Sequence, residues 1–538
     1  MKLTKRILSF ALVALMLLCI FPASVSAETA GSLTLQTIGS AGSANFHYRV
    51  IKCDTSASGE ITIPATYGSD NVPVTEIYTK AFDGCNSVTQ VNVPASVTKL
   101  YDNVFVGCRA LKKVSFDSGT QPVTFGNGVF IGCENMTGVI LPATLTEIPK
   151  ETFSGCSSLM SIVIPDTVTC IGEEAFRSCA ALKNIAIPAA VNEIGNQAFA
   201  FCDGLTNIDV APANNAFCSK SGVLYTKDGK ILVAYPASSS ALNYDVPAGT
   251  EEIAYGAFNR AANLHNVKMP SSLRTIGDYA FSQASVLENA ALNEGLVTIG
   301  SCAFQRCPEL KTITVPSTVT DYDGAFFASG LETAVLNGTS TISNGAFDSC
   351  ASLKKVTAYE GLETVEPGAF KNCSALLEVI LPASVKTVDD KAFLDANEDV
   401  KIIAPFGSEA ISYAINKGMN YDVQIPDFGI KNNPGKFTLN YREGITLTAE
   451  NAGNCTVKWY SVSNNVKTEL KDNGETVLID GSSITVKEIK SGMDIVAEIT
   501  AEGETLSDSE TIECNDGFFK KLVAFFKGIF GTLKIHVQ

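Results

Sequence analysis

A phenylalanine that returns at a near-constant interval leaves this chain few folds to choose from. Phe82, Phe105, Phe130, Phe153, Phe176, Phe199, Phe258, Phe281, Phe304, Phe326, Phe347, Phe370 and Phe393 each follow a small or short residue, and most steps are 23 residues. Cysteine stands three places later in nine of these units, at Cys85, Cys108, Cys133, Cys156, Cys179, Cys202, Cys307, Cys350 and Cys373. Two successive units read LMSIVIPDTVTCIGEEAFRSC (159–179) and LKNIAIPAAVNEIGNQAFAFC (182–202). A fixed period of this size marks a repeat array, in which one unit buries its apolar residues only against the next.

The geometry of one unit follows from its residues. Ile185 and Ile187 alternate with Asn184 and Ala186, the period-two pattern of a half-buried strand. Pro188 has no N–H for a ladder and closes that strand. Val191 and Ile194 give a second short extended stretch. Gly195 is read as a turn residue, after which Ala198 and Phe199 point inward.

The pattern IP, then V-x-x-I, then AF-x-x-C resembles the BspA-like, or Treponema-type, bacterial leucine-rich repeats. It covers about residues 59–421. The resemblance implies a mainly β fold: a leucine-rich-repeat parallel β-solenoid over 59–424, behind an N-terminal cap at 28–58. Cys218–Tyr235 resembles the hairpin insertion common in the family, here near 212–240, with Lys227-Asp228-Gly229 as its turn. Gly407–Asp422 resembles the family's closing helix. The resemblance further implies attachment to host or neighbouring-cell proteins.

Compartment is read from the first residues. Lys2, Lys5 and Arg6 precede an apolar run from Ile7 to Phe21, and Val25-Ser26-Ala27 supplies compact residues at the −3 and −1 positions. This pattern predicts a secretory signal peptide over 1–27 and a secreted or extracellular cell-surface protein. The formal net charge is −16, and removal of the basic leader makes the remainder more acidic still. Such a chain does not suit nucleic acid, whose phosphates need Lys and Arg.

A stacked column of cysteines admits three readings: a run of disulfides, a metal site, or packing. Equivalent Cα atoms one strand apart, about 4.8 Å, fall within disulfide range, but their Cβ vectors run parallel rather than converging. Metal binding needs clustered ligands, and the histidines are only His47, His265 and His536. The favoured reading is a reduced, buried column, with no metal and no cofactor.

Function on a solenoid falls to its outward residues. The outward position of the main strand reads Asn92, Ser115, Ile140, Val163, Ala186 and Asp209 in successive units. Ile140, Val163 and Ala186 are the candidate partner-binding residues, an apolar stripe rimmed by Gly138, Ser161 and Asn184. Ordinary β-propensity on an outer face is the competing reading.

Past a linker at 425–434, residues 435–514 read as short strands separated by Gly, Asn and Asp. They resemble a small immunoglobulin-like β-sandwich. Cys455 and Cys514 are candidate partners in one disulfide. The tail, 515–538, is read as a basic amphipathic helix. Phe518, Phe519, Leu522, Phe525, Phe526, Ile529 and Phe530 would form its apolar face, with Lys520, Lys527 and Lys534 on the other. That arrangement suits contact with a membrane surface. No nucleophile elbow, phosphate loop or metal-ligand cluster points to catalysis. The sequence therefore reads as a protein-binding module or adhesin, with a structural spacer as the alternative.

Overall fold

The computed structural model describes residues 27–405 and 408–424 and, beyond them, strands lying between 445 and 524. The leader expected over 1–27 lies outside these residues, except Ala27, which opens a strand (Ala27–Ala30). The expected linker at 425–434 also lies outside them. The chain divides into two compact units, Met1–Lys311 with Asp321–Gly330, and Thr312–Thr320 with Leu331–Gln538.

In the first unit the cap turns antiparallel pairing into parallel pairing. Ala27–Ala30, Leu33–Ile38 and His47–Cys53 form an antiparallel meander. The free edge of His47–Cys53 then takes Val72–Ile77 in parallel, followed by Lys99–Leu100 and Thr124–Phe125. A second parallel ladder stacks Ser58–Thr62, Ser87–Val93, Lys113–Phe116 and Gly138–Ile140. Its register sets Val91 against Val114 and Val114 against Val139, so each inward residue meets its repeat equivalent.

The rings do the same. Phe105, Phe130, Phe153, Phe176 and Phe199 follow one another at centroid distances of 5.4, 5.3, 5.4 and 5.9 Å, with near-parallel planes. Each of the first four is fully buried. Burying such a ring contributes roughly 1.5–3 kcal/mol relative to exposure.

The turn that carries each ring is strained, and hydrogen bonds between coils hold it. The residues two before and two after the ring take left-handed backbone whether or not they are glycine: Glu174 (φ 53°) and Ser178 (φ 61°) flank Phe176, while Gln197 (φ 56°) and Phe201 (φ 58°) flank Phe199. For an L-residue this costs about 1–2 kcal/mol. Offsetting it, the N–H groups of Glu174, Phe176 and Ser178 donate to Asn196, Ala198 and Ala200 carbonyls in the next coil, at 3.0, 2.9 and 2.8 Å.

Gly195 corrects the sequence reading. Its φ is not positive, so it serves no left-handed turn. A Cβ there would stand 2.3 Å from the Glu173 nitrogen, and one on Gly172 would stand 2.5 Å from the Lys150 nitrogen. Glycine is used at this step because adjacent backbones nearly touch.

The insertion is a three-stranded meander rather than a single hairpin. Phe217–Lys220 pairs antiparallel with Val223–Thr226 across Ser221-Gly222, both of positive φ, the conformation that two-residue hairpin loops need. Val223–Thr226 pairs antiparallel with Ile231–Ala234 across the expected Lys227-Asp228-Gly229 turn. Ile231–Ala234 then rejoins a parallel ladder beside Glu252–Ile253.

The second unit repeats the plan. Thr312–Val315, Thr333–Leu336, Lys355–Ala358, Glu378–Ile380, Lys401–Pro405 and Asn420–Gln424 run parallel in sequence order. The helix before the last strand, Glu409–Lys417, is capped at both ends: Ser408 accepts from the Ile411 N–H, and Gly418 is left-handed. It is shorter than the expected closing helix because Asn420–Gln424 is recruited as a strand. No helix among the described residues is long and apolar enough to cross a membrane.

Beyond 424 the described strands form two antiparallel sheets. One contains Ile445–Thr448, Ser483–Val486 and Val477–Asp480; the other contains Val466–Glu469, Thr456–Ser463, Met493–Ala501, Glu504–Asn515 and Phe518–Ala524.

One expectation needs correction here. Phe518–Ala524 is a strand paired with Glu504–Asn515, not the start of a helix, and 525–538 lies outside the described residues. Short apolar runs such as this one do not distinguish helix from strand by periodicity, and the paired edge of Glu504–Asn515 decides it. The broad helical face drawn through Phe518, Phe519 and Leu522 with Lys520 opposite therefore does not exist over this stretch. Cys455, one half of the expected Cys455–Cys514 bridge, lies outside the described residues.

Candidate interaction surface

The outward positions divide into two chemical zones. In the first, Asn243, Asn266 and Asn289 occupy register-matched positions of three parallel strands. Their amides satisfy one another: Asn266 Nδ2 donates to Asn243 Oδ1 at 2.7 Å, and Asn289 Nδ2 to Asn266 Oδ1 at 2.6 Å.

The second zone is apolar. Ile140 is 58% exposed, Val163 83%, and Ala186 is also exposed. Ile140 stands opposite Ser115, and Ala186 opposite Asp209. The three belong to successive coils, those whose rings Phe153, Phe176 and Phe199 stack. Met160, 60% exposed, lies in the middle coil and was not anticipated. The signal was present: the residue after the buried leucine or methionine is Thr137 in one adjacent coil and Lys183 in the other, and methionine breaks that polar series.

This middle coil differs from its neighbours in a second way. Ile162 and Ile164 are buried while Ser161 and Val163 are exposed, so the in-out alternation survives. Yet no strand forms there, and Gly138–Ile140 and Asn184–Ile187 belong to separate sheets. The apolar zone thus coincides with a break in the hydrogen-bonded ladder.

From Cys108 to Cys202 the cysteine column offers no reactive site. Each thiol donates to the phenylalanine carbonyl of the preceding coil: Cys108 to Phe82 at 3.1 Å, Cys133 to Phe105 at 3.2 Å, Cys156 to Phe130 at 3.2 Å, Cys179 to Phe153 at 3.3 Å and Cys202 to Phe176 at 3.0 Å. Burial pushes the Cys108, Cys156, Cys202 and Cys307 thiols up to about 12, where no nucleophilic thiolate forms at neutral pH. No group of three or more potential metal ligands occurs among the described residues.

A cavity of about 240 Å³ opens where the meander replaces regular coils, between the Gly195–Ala200 turn and the Tyr235 and Ala254–Ala257 segments. Asn259 Oδ1 is buried there without a hydrogen-bond partner. The N–H groups of Gln197, Phe199 and Phe201, equivalents of the three that bridge coils one step earlier, have no such partner among the described residues. The long step from Phe199 to Phe258 was the sequence sign of this discontinuity.

Fold and surface together define a class of scaffold, a parallel solenoid of leucine-rich repeats with a packed interior and a chemically varied outer face. Six copies of the BspA type leucine rich repeat region match at residues 60–159, 123–221, 234–339 and 323–421, more than half of the chain. The protein belongs to the BspA-type leucine-rich-repeat family.

No curated protein matches the chain. Among solved structures, the pneumococcal vaccine antigen PcpA is similar at 20% identity and TM-score 0.51, covering 74% of this chain and 97% of its own. A leucine rich cell surface protein of Faecalibacterium prausnitzii is 27% identical with TM-score 0.48, covering 73% and 98% respectively. A leucine-rich repeat protein of Bacteroides ovatus is 20% identical with TM-score 0.45, covering 74% and 99%.

Proposed function

We propose that this protein is a secreted or cell-surface binding module, an adhesin towards host or neighbouring-cell proteins, and that the zone around Ile140, Met160 and Val163 receives its partner. The observation that carries this reading is the exposure of three large apolar side chains, Ile140, Met160 and Val163, on two adjoining coils. Exposed apolar area costs solubility unless it is covered in use, and a polar rim favours a protein partner. Family membership supports surface presentation, and the scattered carboxylates give no convergent constellation for catalysis.

The self-satisfied Asn243–Asn266–Asn289 ladder favours a second reading for its own part of the face. Amides already paired with one another have little left to offer a ligand, as suits a spacer. The test is capture from host extracellular-matrix extract by the full chain and by an Ile140→Asp, Val163→Asp double variant of equal thermal stability. Loss of the captured protein in the variant supports the binding zone. Equal capture removes the zone from the account, and capture of nothing by either protein favours the spacer.

A further inference from the structure

The cysteine column ends differently from the way it runs. Cys85 belongs to the first coil that carries a ring, and the chain before it provides no phenylalanine carbonyl to take its thiol. Cys53, the last residue of the strand His47–Cys53, occupies that place. The Cys53 N–H donates to the Ala81 carbonyl, holding this strand end against the Phe82 turn. Both thiols reach for one acceptor: Cys53 Sγ lies 3.7 Å and Cys85 Sγ 3.5 Å from the Asp54 carbonyl oxygen. Cys85 Sγ is also 3.7 Å from the Cys53 carbonyl. These contacts are longer than the 3.0–3.3 Å that pins Cys108 through Cys202. Both sulfurs therefore gather at one carbonyl oxygen at the edge of the cap.

We infer that Cys53 and Cys85 are a redox pair that closes to a disulfide when the chain folds under oxidising conditions, stapling the cap to the first ring-bearing coil, while Cys108 through Cys202 stay as thiols. The chemistry balances with a low-molecular-weight disulfide as oxidant. The Cys85 thiolate attacks one sulfur of oxidised glutathione, releasing one glutathione thiolate and leaving a mixed disulfide. The Cys53 thiol then gives its proton to solvent and attacks the Cys85 sulfur, expelling the second glutathione. Two protons and two electrons leave the protein, and the oxidant becomes two thiols. Contact with Cys53 holds the Cys85 thiol below its ordinary range, which favours Cys85 as first nucleophile. Both sulfurs are buried in the folded protein, so exchange precedes closure of the cap.

Sequence alone hides this pair. Cys53 and Cys85 are 32 residues apart, off the 23-residue step, and only the passage from antiparallel meander to parallel coil brings them together.

The test uses the full chain, reduced and unfolded, then refolded in oxidised and reduced glutathione. The product is alkylated in denaturant and digested with trypsin without reductant. The expected product is a cross-linked pair of peptides, 53–80 with 81–99, two mass units below their sum and released by dithiothreitol, with Cys108, Cys133, Cys156, Cys179 and Cys202 alkylated. Separate alkylated 53–80 and 81–99 peptides, or Cys53 joined to any other cysteine, overturn the inference. A second readout is thermal: oxidation raises the melting temperature of the parent by several degrees and leaves a Cys53→Ser, Cys85→Ser variant unmoved. An equal rise in both proteins shows that this pair is not the staple.

Discussion

The run of coils from Phe105 to Phe199 and the junction from Phe199 to Phe258 are built from the same repeat, yet one is continuous and the other is not. Within the run, a ring has a ring on either side, a thiol has a carbonyl one coil back, and three N–H groups of each turn find the next coil. At the junction the meander supplies strands but no ring-bearing turn of its own. Phe258 stacks on Tyr235 at 4.8 Å, while among the described residues Phe199 stacks on Phe176 alone. A cavity remains where the turn would be, and among the described residues the Gln197, Phe199 and Phe201 N–H groups find no carbonyl of a next coil. The contrast shows that the solenoid is held by what neighbouring coils do for each other, and that one coil stabilises little alone.

The sharpest way to break this contrast is to remove a ring from each side. Phe153→Ala empties a fully enclosed site between two stacked rings and should cost about 3–5 kcal/mol. Phe199→Ala, beside an existing cavity, should cost clearly less in the same urea titration. Equal losses would mean that the junction is as tightly packed as the run. Next in size is Gly172→Ala, which drives a Cβ against Lys150 backbone and should cost about 1–3 kcal/mol. Gly256→Ala, which meets nothing closer than 4.0 Å, pays only for its left-handed φ of 62°, about 1 kcal/mol.

A smaller effect is expected from the thiols. Cys156→Ala deletes the bond to the Phe130 carbonyl, which keeps its bond from the Cys133 N–H, and should cost about 1 kcal/mol. Because burial raises the Cys156 thiol from 9.0 to about 12, the unfolded chain releases its proton first as pH climbs. Stability from this group is therefore complete below pH 9 and is lost between pH 9 and 12; Cys156→Ala should flatten that decline in melting temperature. The smallest change is Asn259→Leu. It replaces an unpartnered buried amide oxygen beside the cavity and should leave stability level or raise it by up to about 1 kcal/mol. A clear loss would reveal a partner for that oxygen.

Much of this was legible in the sequence because the repeat averages its own noise. The inward Val and Ile, the ring and the thiol could be placed from spacing alone. The left-handed residues could not, since Glu174, Gln197 and Ser178 carry no chemical mark of positive φ; at Glu174 and Ser178 hydrogen bonds to the next coil hold it. Gly195 was given the wrong reason because a turn and a close approach look the same in one dimension. The tail failed for another cause: Phe518–Ala524 has both a helical stripe and strand propensity, and the partner strand that decides between them, Glu504–Asn515, was not picked out in the sequence. Of the candidate surface, Ile140, Val163 and Ala186 were legible from the outward position. Met160 left a sign as the apolar residue in a polar series, whereas the break in the ladder did not, since it depends on hydrogen bonds that the middle coil does not make.

Amide hydrogen exchange resolved to single residues tests the central claim most directly. If neighbouring coils hold one another, the Phe130, Phe153 and Phe176 amides exchange only with global or near-global opening, and the Phe199 amide exchanges orders of magnitude faster. Equal protection of Phe176 and Phe199, or fast exchange at all four, would contradict it.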